Sequence, residues 1–129
     1  MKLASVRIVA SDLPALAAFY QTITGADLVT PFGDGKDYLE LHTQSGIVAI
    51  ASVSGMERNA PDAELPAANR SVILEFEVGD VDAERKRLDS IVTDWVLEPT
   101  SQPWGYRSML FRDPDGNLIN FYTPGSDVA

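Results

Sequence analysis

The sequence predicts an α+β fold with two tandem β-α-β-β-β modules, which form a cupped mixed sheet with the helices on the outside. Each half of the chain shows the same order: an alternating strand pattern, a helical pattern, and three short strand-like runs between turn residues. The halves overlay at a constant offset of 68 residues, which places Asp12 and Asp80 at matching helix-cap positions. We expect a single domain over 1–129, with the modules at about 1–53 and 70–125 and a linker at 54–69.

In the first module, the apolar residues Val6, Ile8 and Ala10 alternate with Ser5, Arg7 and Val9, as is typical of a strand with two different faces. Asp12 is placed to cap the following helix and Gly25 to end it. Strand-like runs follow at about 26–32, 38–43 and 47–53. Residues 54–69 are rich in Pro, Ala, Asn and charge without a sustained period, which predicts a connecting loop.

The second module repeats this order, with a strand over 73–78 and a short helix from Asp80 through Leu88. Asp113-Pro114-Asp115-Gly116 has the residues that a type I turn favours, with Asp first, Pro second and Gly fourth. Three strand-like runs complete the module, at about 92–98, 106–112 and 117–123.

Composition limits the function classes. Hydrophobic residues make up 45% of the 129 residues and charged residues 22%, as in ordinary globular domains. The net charge of −9 repels phosphate backbones and anionic membranes, so neither a nucleic-acid nor a membrane partner is expected. The absence of cysteine excludes disulfides, thiolate metal sites and a cysteine nucleophile. Without a membrane-length apolar run or a signal-peptide core, we expect a cytoplasmic location.

Strand alternation divides the first strand of each module into two faces. The residues predicted to face the helices are Val6, Ile8, Ala10, Leu74, Phe76 and Val78. Those predicted to face into the cup are Ser5, Arg7, Val9, Ile73, Glu75 and Glu77. Arg7 and Glu75 occupy equivalent places in the two copies. If the two first strands lie side by side, they are expected either to form a structural ion pair or to anchor a ligand.

Aromatic residues are concentrated where a cup rim is expected, while Phe76 and Phe111 are assigned to the core. The predicted rim residues are Phe32, Tyr38, Trp95, Trp104, Tyr106 and Tyr122. Trp104 lies in a loop-like segment, so three partners stay open for it: a ligand, a second subunit or its own domain. There is no nucleophile elbow and no phosphate-binding glycine loop, which excludes hydrolase and kinase chemistry.

The stretch 107–121, with Trp104-Gly105 before it, resembles the closing motif of the vicinal oxygen chelate superfamily. The opening Asp12-Leu13 followed by Phe19-Tyr20 is also similar to that family, and the resemblance covers essentially the whole chain. The family includes glyoxalases, extradiol dioxygenases and bleomycin-resistance binding proteins. The resemblance implies paired modules around a small-molecule pocket.

In metal-dependent members of this family, His, Glu or Gln from the first and last strands of each module hold a divalent cation. The resemblance assigns those positions here to Ser5, Ile73, Ala49 or Ile50, and Asn120. Apolar side chains donate no lone pair, and Ser or Asn alone bind transition metals weakly. His42 and Glu40 share a strand face, but a hydrogen-bonded histidine is the commoner arrangement. We therefore assign no metal and expect no cofactor.

The first hypothesis is a metal-independent small-molecule binding protein of the glyoxalase and bleomycin-resistance type. We expect it to be a homodimer that binds an aromatic or cationic compound. A lyase, isomerase or dioxygenase that uses a metal or a pocket carboxylate (Glu40, Glu75 or Glu77) is the alternative, and an interaction module with a self-filled cup is a third possibility. The candidate ligand-binding residues are Arg7, Glu40, Glu75, Trp104, Arg107, Asn120 and Tyr122.

Overall fold

The computed structural model of the protein describes residues 1–125 and divides the chain into two compact units. The first unit is Met1–Ala68 and the second begins at Asn69, at the end of the predicted linker. Each unit holds its own four-stranded mixed sheet, so the predicted fold class is confirmed. The single domain over 1–129 stays a prediction, and residues 126–129 lie outside the described part of the chain.

The first unit has its strands in the order β1-β4-β3-β2, with β1 parallel to β4 and the other pairs antiparallel. Its elements are β1 (Val6–Ala10), α1 (Leu13–Thr24), β2 (Asp27–Val29), β3 (Tyr38–His42), β4 (Ile47–Ser52) and α2 (Val53–Asn59). As predicted, the Asp12 carboxylate accepts a hydrogen bond from the Ala15 amide at the start of α1. Gly25 ends α1 in the left-handed conformation, with φ at 66°.

The second unit repeats this topology with the order β5-β8-β7-β6, and β5 runs parallel to β8. Its elements are β5 (Ile73–Glu77), α3 (Val81–Arg87), β6 (Asp94–Ser101), β7 (Arg107–Arg112) and β8 (Leu118–Thr123). Asp80 caps α3 by accepting from the Ala83 amide, as Asp12 does for α1.

One face of each sheet packs against a helix and is buried. On the first sheet this face carries Ala10, Leu39, Leu41, Val48 and Ile50, and on the second it carries Met109, Phe111, Ile119 and Phe121. We call the opposite faces the open faces. The first open face carries Arg7, Val9, Tyr38, Glu40, His42 and Ala49, and the second carries Glu75, Glu77, Leu110, Asn120 and Tyr122.

The prediction of a loop over all of 54–69 is wrong for its first part, where α2 forms. Ser52 caps this helix by accepting from the Gly55 amide, and its hydroxyl donates to Asp37 at 2.7 Å. Arg58, in the last turn of α2, pairs with the same Asp37 carboxylate. These contacts join α2 to the start of β3 and stabilise a helix that is too short to show a hydrophobic period.

Two strand boundaries also differ from the prediction. β2 has three residues rather than the run 26–32, because Pro31 lacks an amide donor and Gly33 turns the chain at a φ of 68°. β6 begins two residues later than predicted, since the Val92 amide still bonds to the Leu88 carbonyl after α3. Pro99 lies within β6, which is the edge strand of its sheet and has an irregular register there.

Across residues 1–125, none of the helices has the length and apolar character needed to cross a bilayer.

Candidate functional site

A hydrogen-bonded carboxylate lies at the centre of the first open face. Glu40 accepts from the Tyr38 hydroxyl at 2.7 Å through Oε2, and its Oε1 lies 2.8 Å from Nε2 of His42. The hydrogen bond from Tyr38, and after it the one with His42, holds the pKa of Glu40 below its ordinary value. Burial and then the bond to Glu40 raise the pKa of Tyr38. Glu40 is thus a fixed, charged acceptor.

Arg7 places a cation beside this network. Its guanidinium carbon lies 5.4 Å from the centroid of the Tyr38 ring, and its Nη1 is 3.6 Å from the Met56 sulfur of α2. Ala49 lies between Arg7 and Glu40 in the strand register and contributes only a methyl group. Ala49 is therefore on the first open face. Ile50 faces the helix, so it is no longer a candidate for the metal position.

The Glu40 network makes the stability of the first unit depend on pH. A carboxylate whose pKa is lowered by folding stabilises the fold above its unfolded value of about 4.5, and that contribution is lost as the pH falls through the folded value. We expect the difference in the free energy of unfolding between wild type and Glu40→Gln to shrink as the pH falls from about 6 to about 3. Chemical denaturation at a series of pH values measures it.

Glu64→Gln, at an exposed position of the same unit, is the control variant. Equal pH profiles for Glu40→Gln and the wild type would contradict the assignment of Glu40 as a charged acceptor.

The second open face carries acceptors and aromatic rings. The Asn120 amide nitrogen donates to Glu75 at 2.9 Å, while its Oδ1 is buried without a hydrogen-bond partner among the described residues. The rings of Tyr122 and Tyr106 stack with centroids 5.5 Å apart and planes 8° apart. The pKa of Tyr122 is raised mainly by burial and, after that, by the neighbouring negative charge of Glu77.

The structure thus brings Arg7 and Glu40 together on the first open face. On the second open face it brings Glu75 into contact with Asn120, near Tyr122. The predicted pairing of Arg7 with Glu75 would join the two units and stays a prediction. The sequence analysis missed Met56, because α2 was taken for a loop, and did not foresee the stacking of Tyr106 on Tyr122.

Arg107 is not brought together with these residues. Its guanidinium makes a two-pronged ion pair with Asp82 of α3, at 2.7 and 2.8 Å, and also donates to Ser101. The pair lowers the pKa of Asp82. Arg107 therefore lies on the helix side of the second sheet, and a ligand-binding role for it stays a prediction.

The two tryptophans have different environments. Trp104 is 64% exposed at the tip of the β6–β7 hairpin, whose closing bonds join Gln102 to Tyr106 and Gly105. The rim position predicted for Trp95 is wrong. The centroid of its ring lies 3.8 Å from the guanidinium carbon of Arg85 in α3 and 5.5 Å from the centroid of the Phe111 ring. Trp95 is the register partner of Phe111, so it lies on the face that packs against the helix.

The positions that the family resemblance assigns to metal ligands do not fit a metal. Ala49 and Ile73 have no donor atom, and the only side-chain oxygens at these positions are the hydroxyl of Ser5, which is exposed ahead of β1, and the amide oxygen of Asn120. Within residues 1–125, no three side chains of His, Cys, Asp or Glu are grouped so that they could hold a metal ion. Glu40 and His42 supply two ligands, which is fewer than structural or catalytic zinc sites use.

The fold and the two open faces define an α+β protein of two repeated modules. The family model of the Glyoxalase/Bleomycin resistance protein/Dioxygenase superfamily matches residues 2–121. The chain belongs to this superfamily. It is 28% identical over 131 residues to the uncharacterized protein YraH of Bacillus subtilis (strain 168), an alignment that covers 95% of this chain and 98% of that protein.

Solved structures show the same fold. A glyoxalase/bleomycin resistance protein/dioxygenase family enzyme from Burkholderia phytofirmans PsJN has a TM-score of 0.83 at 18% identity, covering 95% of this chain and 98% of that one. A protein of unknown function from Agrobacterium tumefaciens str. C58 has a TM-score of 0.78 at 26% identity, covering 95% of this chain and 94% of that one. At this identity, the similarity to the first structure shows a shared fold and nothing further.

Proposed function

We propose that the protein binds a small molecule without a metal, as do the binding members of its superfamily. The observation that carries this proposal is the set of residues at the four metal-ligand positions. Two of them, Ala49 and Ile73, cannot coordinate any ion, and Ser5 and Asn120 are weak ligands for transition metals. Chemistry at a metal centre held by these positions has no support in this chain.

The surroundings of those positions favour binding. Small-molecule sites combine a few fixed polar groups with aromatic and apolar surface. Arg7 and Glu40 are held in place by contacts with Tyr38, so a ligand would meet them in a fixed geometry and lose less free energy in ordering them. Trp104, exposed on its hairpin, is the aromatic residue we assign to ligand contact.

We also propose a homodimer. β1 and β5 are the terminal strands of their sheets, and each begins with an exposed apolar residue, Val6 at 38% and Ile73 at 49%. Terminal strands with apolar side chains are surfaces that proteins commonly cover. A cytoplasmic location stays a prediction from the sequence.

Elemental analysis and thermal shift measurements on the purified protein test the binding proposal. We expect far less than one divalent ion per chain, and a rise in melting temperature with at least one aromatic or cationic compound. A stoichiometric, tightly bound divalent ion would overturn the proposal, as would a broad screen in which no compound raises the melting temperature. Sedimentation equilibrium on the same sample tests the dimer, which a mass of 14.0 kDa would contradict.

A further inference from the structure

We propose that the second open face is the part of the ligand site that receives a cation, and that the ligand carries a quaternary ammonium or a similar organic cation on an aromatic group. This inference rests on the proposed binding function, because it assigns a chemical class to the ligand. The residues that carry it are Glu77, Tyr106, Asn120 and Tyr122, with Glu75 beside them.

The stacked tyrosines supply the surface that an organic cation prefers. Tyr106 and Tyr122 are nearly parallel, so they present a broad aromatic surface rather than isolated ring edges. Glu77 is the register partner of Tyr122 on the neighbouring strand, which places a carboxylate next to this surface. Aromatic rings flanked by negative charge are the combination that binds quaternary ammonium groups.

The buried oxygen of Asn120 adds a second, independent observation. Glu75 only accepts hydrogen bonds, so the Asn120 amide must direct its nitrogen to Glu75 and its Oδ1 elsewhere. That Oδ1 is buried and has no partner among residues 1–125. A buried acceptor without a partner is costly, and a small rotation of the Asn120 side chain on binding would bring this oxygen to a polarised C–H or N–H group of the cation.

Arg85, Arg107 and Arg112 of the second unit each have a partner other than Glu75 and Glu77. Arg112, whose strand register places it on this face, donates to the Gly116 carbonyl. Arg85 is paired with Glu98 and Asp89, while Arg107 is paired with Asp82 on the helix side. Within residues 69–125, the carboxylates of Glu75 and Glu77 have no ion pair. The negative charge of the face is therefore available to a ligand, and the raised pKa of Tyr122 is in keeping with that charge.

Isothermal titration calorimetry with phenyltrimethylammonium chloride tests the inference, with sodium benzenesulfonate as the probe of opposite charge. We expect the cation to bind and the sulfonate not to bind. Glu77→Gln and Tyr122→Leu should each weaken the binding of the cation by roughly threefold to thirtyfold. Asp94→Asn is the matched control, because it removes the same charge at the far end of the sheet, opposite Arg112, and should leave the affinity unchanged.

The outcomes separate this inference from the proposed function. If Glu77→Gln weakens the binding no more than Asp94→Asn, or if the cation does not bind while a neutral or anionic compound raises the melting temperature, the cation site is wrong and the binding function stands. If no compound of any charge binds, both fail. Thermal unfolding of each variant verifies that it is folded.

Discussion

Asp113→Ala is expected to lower the free energy of unfolding by about 3 kcal/mol, because it removes a carboxylate that binds three donors in one turn. Asp113 is 4% exposed. Its Oδ1 accepts from the amides of Asp115 and Asn117 at 2.8 and 2.9 Å, and its Oδ2 accepts from the Asn117 side chain at 2.8 Å. Alanine leaves these donors unpaired in the turn between β7 and β8.

Urea denaturation of wild type and variants measures this loss. Asp113→Asn keeps one acceptor but sets an amide nitrogen against the Asn117 amide, so its loss should be intermediate. Asp94→Ala, at an exposed site of the same unit, is the control and should stay within about 0.5 kcal/mol of the wild type. An Asp113→Ala variant as stable as this control would show that the turn does not need the carboxylate.

The Asp113 turn could be predicted from the sequence because its determinants are local. Asp113, Pro114 and Gly116 each suit their own turn position, and Gly116 has the positive φ of 84° that glycine tolerates. The helix caps Asp12 and Asp80 were predictable for the same reason. Each bonds to an amide three residues ahead, within one turn of chain.

Helix α2 could not be predicted because its determinants are distant. Asp37 lies 15 residues before Ser52 and 21 before Arg58, yet it binds both. Gly55 is also close to Asp37, since a Cβ added at Gly55 would lie 3.1 Å from the Asp37 Cβ. Only the folded arrangement of β3 and β4 brings these groups together.

Alternation along a strand predicts which of its residues share a face. Arg7 and Glu75 were placed away from the helices by this rule, and the strand registers agree. The same rule puts Arg107 on the face of Met109 and Phe111, which are fully buried beside α3. The signal for the helix-side position of Arg107 was therefore in the sequence. The Asn120 and Tyr106 contacts required the register between strands.

Trp95→Ala is expected to lower the free energy of unfolding by about 2 to 3 kcal/mol and to leave ligand affinity unchanged. Trp95 is half-buried between the Arg85 guanidinium and the Phe111 ring, so alanine removes a cation–π contact and opens a gap beside the core. Chemical denaturation measures the stability, and titration with a compound found by thermal shift measures the affinity.

Trp104→Ala is the matched variant, because it makes the same truncation at an exposed hairpin tip. Its stability should stay within about 0.5 kcal/mol of the wild type, while the affinity for the compound should fall by about 1 to 3 kcal/mol. A loss of affinity in Trp95→Ala without a loss of stability would place the ligand on the helix side of the second sheet. Unchanged affinity in Trp104→Ala would remove Trp104 from the ligand site. Because the truncated side chain is the same in both variants, a difference between them reports the position of the tryptophan and not its size.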